Sequence, residues 1–138
     1  MAISLTSRYP MSPQRVFDAW LDPEVAGLWL FATALRPMTH VAIDARVGGE
    51  FRLAERGSGE DAEHHGQYLE IVPHRRLVFS LFGGDRRWGA TRVTVEISPR
   101  KRGCELKLSH ENVPAEHVNH IKARWTGILY GLGETLAS

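Results

Sequence analysis

The chain has 138 residues, close to the commonest size of a single domain and short for two packed cores. With 43% hydrophobic and 24% charged residues, its composition is that of a globular protein, neither disordered nor membrane-spanning. Its 17 basic residues nearly balance its 16 acidic ones, so no overall field recruits nucleic acid or anionic lipid. The single cysteine, Cys104, excludes an internal disulfide and is typical of a cytoplasmic protein. We expect one cytoplasmic domain over residues 1–138.

The start of the chain predicts a strand followed by two short helices. Residues 3–8 alternate apolar and polar side chains, as in a strand with one buried face. Ser12 and Pro13 form a helix start, because a hydroxyl caps the first turn and the N–H that proline lacks is not needed there. Asp22 and Pro23 repeat the same signal. We therefore expect two consecutive short helices.

From residue 37 to residue 112, short β-rich runs alternate with turn residues. The turns are too short for the helical crossovers that parallel strands need, so the pattern predicts an antiparallel meander. The predicted strands cover residues 41–43, 51–53, 67–72, 77–82, 92–97 and 104–110. The fifth of these is expected to stop at Pro99.

The last segment predicts one long amphipathic helix from Pro114 to Leu136. Its apolar residues recur at spacings of three or four and lie on one side: Val118, Ile121, Trp125, Ile128, Leu132 and Leu136. At ~1.5 Å per residue this helix would be roughly 35 Å long, enough to cross a sheet. An antiparallel sheet covered by such a helix is an α+β architecture. Because a twisted sheet curves away from a straight helix, large side chains or a cavity must occupy the space between them.

Three glycines, Gly127, Gly131 and Gly133, interrupt this helix although each costs up to ~1 kcal/mol relative to alanine. We favour close contact of the helix backbone with a neighbouring strand as their explanation. Room for a ligand is the alternative.

The side chains that could catalyse a reaction or bind a metal form no recognisable motif. His117 and Arg124 border the apolar stripe and could bind a carboxylate or phosphate head group, although such residues more often lie at the rim of a buried face. Adjacent His64 and His65 point to opposite faces of a strand, and the pair His117 and His120 lacks companions at ligand spacing. No nucleophile elbow, P-loop or dinucleotide fingerprint is present. We expect no metal, no cofactor and no catalytic residue.

The basic clusters also lack a specific signal. Arg75-Arg76, Arg86-Arg87 and Arg100-Lys101-Arg102 fall at predicted turns, where charge normally faces water. Nucleic-acid binding is therefore not expected. Cys104 alternates with Leu106 and is expected to be a small buried hydrophobe.

Seven segments occur in an order and spacing that are specific for one fold. They are Ser12–Trp20 (SPQRVFDAW), Asp22-Pro23, Trp29, Gly48–Phe51 (GGEF), Gly66–Pro73 (GQYLEIVP), Arg76–Phe79 (RLVF) and Gly103–His110 (GCELKLSH). In these segments the chain resembles the helix-grip superfamily, also called SRPBCC or START-like, which includes lipid-transfer domains and birch-pollen-allergen-like proteins. It is most similar to bacterial relatives of the C-terminal domain of the heat-shock-protein ATPase activator (activator of Hsp90 ATPase homologue-like). The resemblance covers nearly the whole chain.

The resemblance implies a curved antiparallel sheet wrapped around a long C-terminal helix, with two short helices after the first strand. It implies an internal cavity that commonly receives apolar molecules, but no shared catalytic residues. The activators carry a separate N-terminal domain that engages the chaperone, and we expect no co-chaperone activity from a chain of 138 residues. The last helix of the family usually opens with Gly-Trp, whereas this chain has Arg124-Trp125-Thr126-Gly127. We expect a differently shaped cavity face.

We expect a non-enzymatic protein that binds a small apolar or amphipathic molecule between the sheet and the last helix. The expected cavity walls on the strands and short helices are Trp29, Phe51, Tyr68, Phe79, Val95 and Leu106. From the last helix, Ile121, Trp125 and Ile128 would add apolar contacts, and His117 and Arg124 polar ones. We expect no nucleic-acid partner and no membrane insertion.

Two alternatives remain. One is a protein-interaction module, either a homodimer or a chaperone-associated, stress-related protein, which a contiguous patch including Trp88 and Tyr130 would favour. The other is an enzyme that uses a pocket histidine, His110 or His117, as general acid or base.

Overall fold

The computed structural model describes residues 2–30, 38–55, 63–82 and 91–137. A seven-stranded antiparallel sheet has the order β1-β7-β6-β5-β4-β3-β2. The strands are β1 Ile3–Tyr9, β2 Met38–Ile43, β3 Glu50–Glu55, β4 Glu63–Val72, β5 Arg76–Leu81, β6 Thr91–Arg100 and β7 Gly103–Glu111. The α-helices are α1 Pro13–Leu21, α2 Pro23–Trp29 and α3 Val118–Ala137. The sheet curves around α3, which confirms the predicted α+β architecture.

The sheet is a meander from β2 to β7, closed at one edge by the first strand. Each strand from β2 onward pairs antiparallel with the next strand in the chain, as predicted. The first strand returns to pair with the last, from Ile3↔His110 to Tyr9↔Cys104. This pairing places the first strand beside the last one.

The two short helices begin where the sequence predicts them. The Ser12 hydroxyl accepts a hydrogen bond from the Arg15 N–H (3.2 Å), and an Asp22 carboxylate oxygen accepts one from the Glu24 N–H (2.9 Å). Asp22 also ends α1, because its N–H donates to the Asp18 carbonyl (2.9 Å). One residue therefore ends the first helix and caps the second. The buried residues of α1 are Val16, Phe17, Ala19 and Trp20.

The long helix covers the inner face of the sheet with the predicted stripe. Its buried residues are Ile121, Trp125, Ile128, Leu129 and Leu132. It begins at Val118 rather than Pro114, because a 3-10 turn over Ala115–His117 comes first. With 20 residues, it is about 30 Å long at ~1.5 Å per residue. The Tyr9 hydroxyl donates to the Leu129 carbonyl (2.7 Å) and joins α3 to β1.

Most strands are longer than predicted, and the largest extensions are those of β4 and β6. The fourth strand begins at Glu63 rather than at residue 67. The sixth strand runs to Arg100 and includes Pro99, which pairs with Cys104. Proline is tolerated there because β5 pairs with β6 only as far as Glu96, so the missing N–H faces no partner strand.

The two faces of the sheet differ in chemistry. The inner face carries the apolar core, including Phe79, Val95 and Leu106. On the outer face, the Arg76 guanidinium lies 3.1 Å from the Glu70 carboxylate and 3.4 Å from that of Glu96. The core of the described residues therefore lies between the sheet and the helices.

The glycines of α3 have three different environments, and the predicted strand contact holds for one of them. A Cβ atom at Gly127 would meet nothing within 4 Å, so the predicted close contact is wrong there. At Gly131 it would lie 3.9 Å from the Trp29 Cβ, which belongs to a helix. At Gly133 it would lie 3.3 Å from the Tyr9 ring on β1. Only Gly133 is packed against a strand.

We expect Gly127→Ala to raise the free energy of unfolding by about 0.5–1 kcal/mol, since alanine restricts the unfolded chain and meets no neighbour in the helix. Urea denaturation measures the change. Gly133→Ala is the matched control and should gain clearly less, because the Tyr9 ring must move. Equal gains at both positions would contradict the packing of Tyr9 against α3.

Candidate functional site

The sheet and the facing helices enclose an aromatic cluster. This name covers residues that are at most 4% exposed: Trp20, Trp29, Phe51, Tyr68, Phe79 and Trp125. The Trp20 ring centroid lies 4.7 Å from that of Trp29 and 6.3 Å from those of Phe79 and Trp125. The Phe51 ring lies 5.3 Å from both Tyr68 and Phe79. These separations are in the range of interacting aromatic pairs, so contacts run continuously from β3 through α1 to α3.

The structure brings the nine predicted apolar site residues into one core and leaves the two polar ones outside it. The buried nine are Trp29, Phe51, Tyr68, Phe79, Val95, Leu106, Ile121, Trp125 and Ile128. His117 is half-buried in the 3-10 turn, with its Nε2 atom 3.7 Å from the Glu116 carboxylate. Arg124 is exposed on α3. The role of these residues as walls of a cavity remains a prediction.

A chain of hydrogen bonds links α3 to the sheet inside the core. Trp125 Nε1 donates to His110 Nδ1 (3.0 Å), and His110 Nε2 lies 2.8 Å from Thr91 Oγ1. The Thr91 hydroxyl donates to the Leu81 carbonyl (3.0 Å). Because Nδ1 accepts and the Thr91 proton is already used, the geometry assigns the imidazole proton to Nε2. All donors and acceptors in this series of hydrogen bonds are therefore paired when His110 is neutral.

Burial lowers the pKa of His110 to about 4, so its imidazole is neutral at pH 7. Both of its ring nitrogens are engaged within the protein. Use of His110 as a general acid or base would first require one of these bonds to break. The structure thus favours a structural role for this histidine.

A second buried histidine lies at the same end of the sheet. His64 is buried on β4, and its pKa is lowered to about 3 by burial, then by the charge of Arg124 and by His65. His65 lies on the opposite face, stacked on Phe82 with centroids 5.1 Å apart. This confirms that the adjacent histidines point to opposite faces. We call the buried His64, Thr91 and His110, together with the exposed Arg124 whose charge acts on His64, the polar end of the core.

Two neighbouring tryptophans differ in how their indole N–H groups are used. Trp29 Nε1 donates to the Ala19 carbonyl (3.2 Å), one of the carbonyls at the end of α1 that lack a helical partner. Trp20 is 1% exposed, and its Nε1 atom has no hydrogen-bond acceptor among the described residues. A buried donor without an acceptor costs about 1–3 kcal/mol. As far as the described residues show, Trp20 therefore has an unused donor inside the aromatic cluster.

Tyr68 is the other polar member of the cluster. Burial raises the pKa of its hydroxyl, and the charge of Asp44 raises it further. The phenol is therefore neutral at pH 7. Its ring packs against Phe51 and Phe79.

Three further points of the sequence analysis concern a metal site, Cys104 and a protein-interaction surface. Within residues 2–30, 38–55, 63–82 and 91–137, no group of three or more His, Cys, Asp or Glu side chains could hold a metal ion. Cys104 is buried as predicted, and burial raises the pKa of its thiol. Tyr130 is 70% exposed, whereas Trp88 lies outside the described residues. The interaction module therefore remains a prediction.

Sequence reasoning did not single out Trp20, His64 or Thr91 as site residues. Trp20 was named only as the end of the segment Ser12–Trp20 that carries the resemblance, and no sequence pattern tells a buried indole N–H with an acceptor from one without. The alternation of β7 did place His110 with the buried side chains, and this signal was correct.

The family known as activator of Hsp90 ATPase homolog 1-like protein matches residues 10–137. The chain belongs to this family. Among solved structures, a protein of Chromobacterium violaceum is 27% identical, with a TM-score of 0.80 and coverage of 97% of this chain and 96% of that one. The AHSA1-like protein of Aeromonas hydrophila is 22% identical, with a TM-score of 0.84 and coverage of 99% and 92%. CalU16 of Micromonospora echinospora is 24% identical, with a TM-score of 0.76 and coverage of 97% and 74%.

Among curated proteins, no sequence matches the chain. The AHSA1-like family membership confirms the helix-grip fold implied by the sequence. No helix in the described ranges is long and apolar enough to cross a bilayer.

Proposed function

We propose that this AHSA1-like protein binds a small amphipathic molecule whose apolar part lies against the aromatic cluster between the sheet and α3. The family fold commonly receives apolar molecules at this place. The cluster supplies aromatic surface from Phe51, Tyr68 and Phe79 on the sheet and from Trp125 on the helix. Burial of apolar ligand surface contributes about 25 cal/mol per Å² before binding entropy is subtracted.

The observation that carries the proposal is the unused N–H of Trp20. Its neighbour Trp29 shows that an indole in this core can be fully satisfied by a backbone carbonyl. Trp20 lacks such a partner among the described residues, although it contacts Trp29, Phe79 and Trp125. A ligand with an oxygen acceptor would supply the missing hydrogen bond. The expected ligand therefore combines an apolar body with an inward-facing acceptor.

The polar end of the core supports an amphipathic rather than a purely apolar ligand. Burial lowers the pKa of His64, and the positive charge of Arg124 lowers it further. Since the imidazole is neutral at pH 7, the arginine carries the positive charge of this region. An anionic head group of the ligand would lie near Arg124, with its apolar part directed toward Trp125.

The test uses 2-acetylnaphthalene and 2-ethylnaphthalene, two probes of similar size of which only the first has a carbonyl acceptor. Isothermal titration calorimetry measures the dissociation constant of each. We expect the ketone to bind about fivefold more tightly, since one neutral hydrogen bond contributes about 1 kcal/mol. Trp20→Phe should abolish this preference. Trp29→Phe, whose indole bonds to the protein, should retain it.

Absence of binding of both probes would contradict the proposed apolar site. Equal affinities for the two probes would contradict only the role of Trp20. Circular dichroism of both variants shows whether the fold is retained. We also propose a cytoplasmic location, which the single, unpaired Cys104 supports.

A further inference from the structure

A groove of about 430 Å³ lies where the end of β1 meets the turn between β6 and β7. It is lined by Arg8, Tyr9 and Pro10 from the first segment and by Arg100, Lys101 and Arg102 from the turn. We call it the basic groove. It lies at the end of β6 opposite Thr91, about 30 Å away at ~3.3 Å per residue, and is therefore separate from the polar end of the core.

Positive charge in the basic groove is only partly neutralised. Arg100 forms an ion pair with Glu105 and also donates to the Pro99 carbonyl (3.0 Å). The other three cations, Arg8, Lys101 and Arg102, are exposed and form no ion pair with a described residue. Four cations therefore face one carboxylate.

The arrangement of these cations is held by the backbone. Gly103 has a φ of +138°, and a Cβ atom there would lie 2.0 Å from the Tyr9 carbonyl oxygen, so the turn is in direct contact with the end of β1. Arg8 lies opposite Glu105, and Tyr9 lies opposite Cys104, in the pairing of β1 with β7. The fold thus brings Arg8 next to a turn some ninety residues away in the chain and keeps it there. A preorganised groove loses less entropy on binding than a flexible one.

We propose that the basic groove binds the phosphate group of a ligand, independently of the site between sheet and helix. A phosphate ester carries up to two negative charges and several acceptor oxygens, which matches uncompensated cations better than a single carboxylate does. Planar guanidinium groups can donate two parallel hydrogen bonds to phosphate oxygens, and the lysine adds a point charge. Both soluble phosphate esters and phospholipid head groups have this chemistry.

Two binding experiments distinguish these sources. In the first, backbone amide shifts are recorded by NMR during titration with glycerol 3-phosphate, against sodium chloride at equal ionic strength. In the second, co-sedimentation is measured with vesicles of phosphatidylglycerol and phosphatidylcholine and with vesicles of phosphatidylcholine alone. Binding of glycerol 3-phosphate with shifts confined to residues 8, 9 and 100–104 supports a soluble ligand. Sedimentation only with the anionic vesicles supports a lipid head group.

Charge removal provides the matched control. The triple variant Arg8→Gln, Lys101→Gln and Arg102→Gln removes the unpaired cations of the basic groove. The control triple Arg92→Gln, Lys107→Gln and Lys122→Gln removes the same charge from exposed positions elsewhere. We expect about a hundredfold weaker vesicle binding for the first triple, since each basic residue near an anionic surface contributes roughly fivefold. The control should change far less.

The proposal would be overturned if neither glycerol 3-phosphate nor the anionic vesicles bind. Equal losses of vesicle binding in the two triple variants would also overturn it. Thermal unfolding of both variants verifies that they are folded. Because the groove and the aromatic cluster are separate, binding of the naphthalene probes should be unchanged by the groove variants. If a groove variant loses binding of the naphthalene probes as well as of phosphate, thermal unfolding shows whether that variant is misfolded.

Discussion

Replacing His110 with alanine is expected to lower the free energy of unfolding by about 3 kcal/mol. The imidazole is 3% exposed and connects α3 to the sheet through Trp125 and Thr91. Its removal leaves the indole N–H of Trp125 without this acceptor and opens a void in the core. Both effects destabilise the folded state and leave the unfolded state unchanged.

Urea denaturation measures this loss, and His117→Ala is the matched control. That histidine is half-buried in the turn before α3, so its replacement should cost less than about 0.5 kcal/mol. A double-mutant cycle of His110→Ala with Trp125→Phe isolates the hydrogen bond and should give a coupling energy of about 1 kcal/mol. Equal losses of unfolding free energy in His110→Ala and His117→Ala would contradict the structural role of the buried hydrogen bonds of His110.

Acidification should destabilise the protein steeply between pH 6 and pH 4. The pKa values of His64 and His110 are lowered from 6.5 to about 3 and about 4, mainly by burial. Around pH 5 the unfolded chain binds protons at both histidines and the folded protein at neither, whereas near pH 4 the folded protein begins to bind a proton at His110. Stability is therefore fully present above the unfolded pKa of 6.5 and falls as the pH decreases. Two protons give a slope of about 2.7 kcal/mol per pH unit.

Denaturation curves at a series of pH values measure this slope. His110→Gln removes one of the two titrating groups, so the slope of the variant should fall to about 1.4 kcal/mol per pH unit. An unaltered slope in His110→Gln would show that the buried imidazole is not responsible for the acid sensitivity.

Local signals in the sequence were sufficient for most of the fold. The hydroxyl of Ser12 and the carboxylate of Asp22 cap their helices as their positions before proline predict. Alternation in β7 and the stripe of α3 likewise gave the buried faces correctly. These features depend on residues close together in the chain, which is why they can be recognised without a structure.

The errors at the ends of β4 and β6 arise from long-range contacts. The start of β4 was missed because His64, His65 and Gly66 do not form an apolar alternation, although they pair with β3. Pro99 was taken as a strand end because the sequence does not show that β5 stops at the level of Glu96. Such contacts are determined by which strands become neighbours.

The candidate sites depend on the same kind of information. Nothing near Trp20 in the chain shows that its N–H lacks an acceptor, because that depends on every group that packs around it. The basic groove needs Arg8 beside residues 100–102, and only the pairing of the first and last strands brings them together.

That pairing also determines when the protein can complete its fold during translation. Ile3 pairs with His110 on β7, and the ribosome makes Ile3 more than a hundred residues earlier. At roughly 5–20 residues per second, the nascent first strand spends about 5–20 seconds with its backbone hydrogen-bonding groups unmatched. The sheet edge it will occupy does not yet exist. The pairing of β1 with β7 therefore joins two strands that are far apart in the chain, and such a long-range contact slows completion of the sheet.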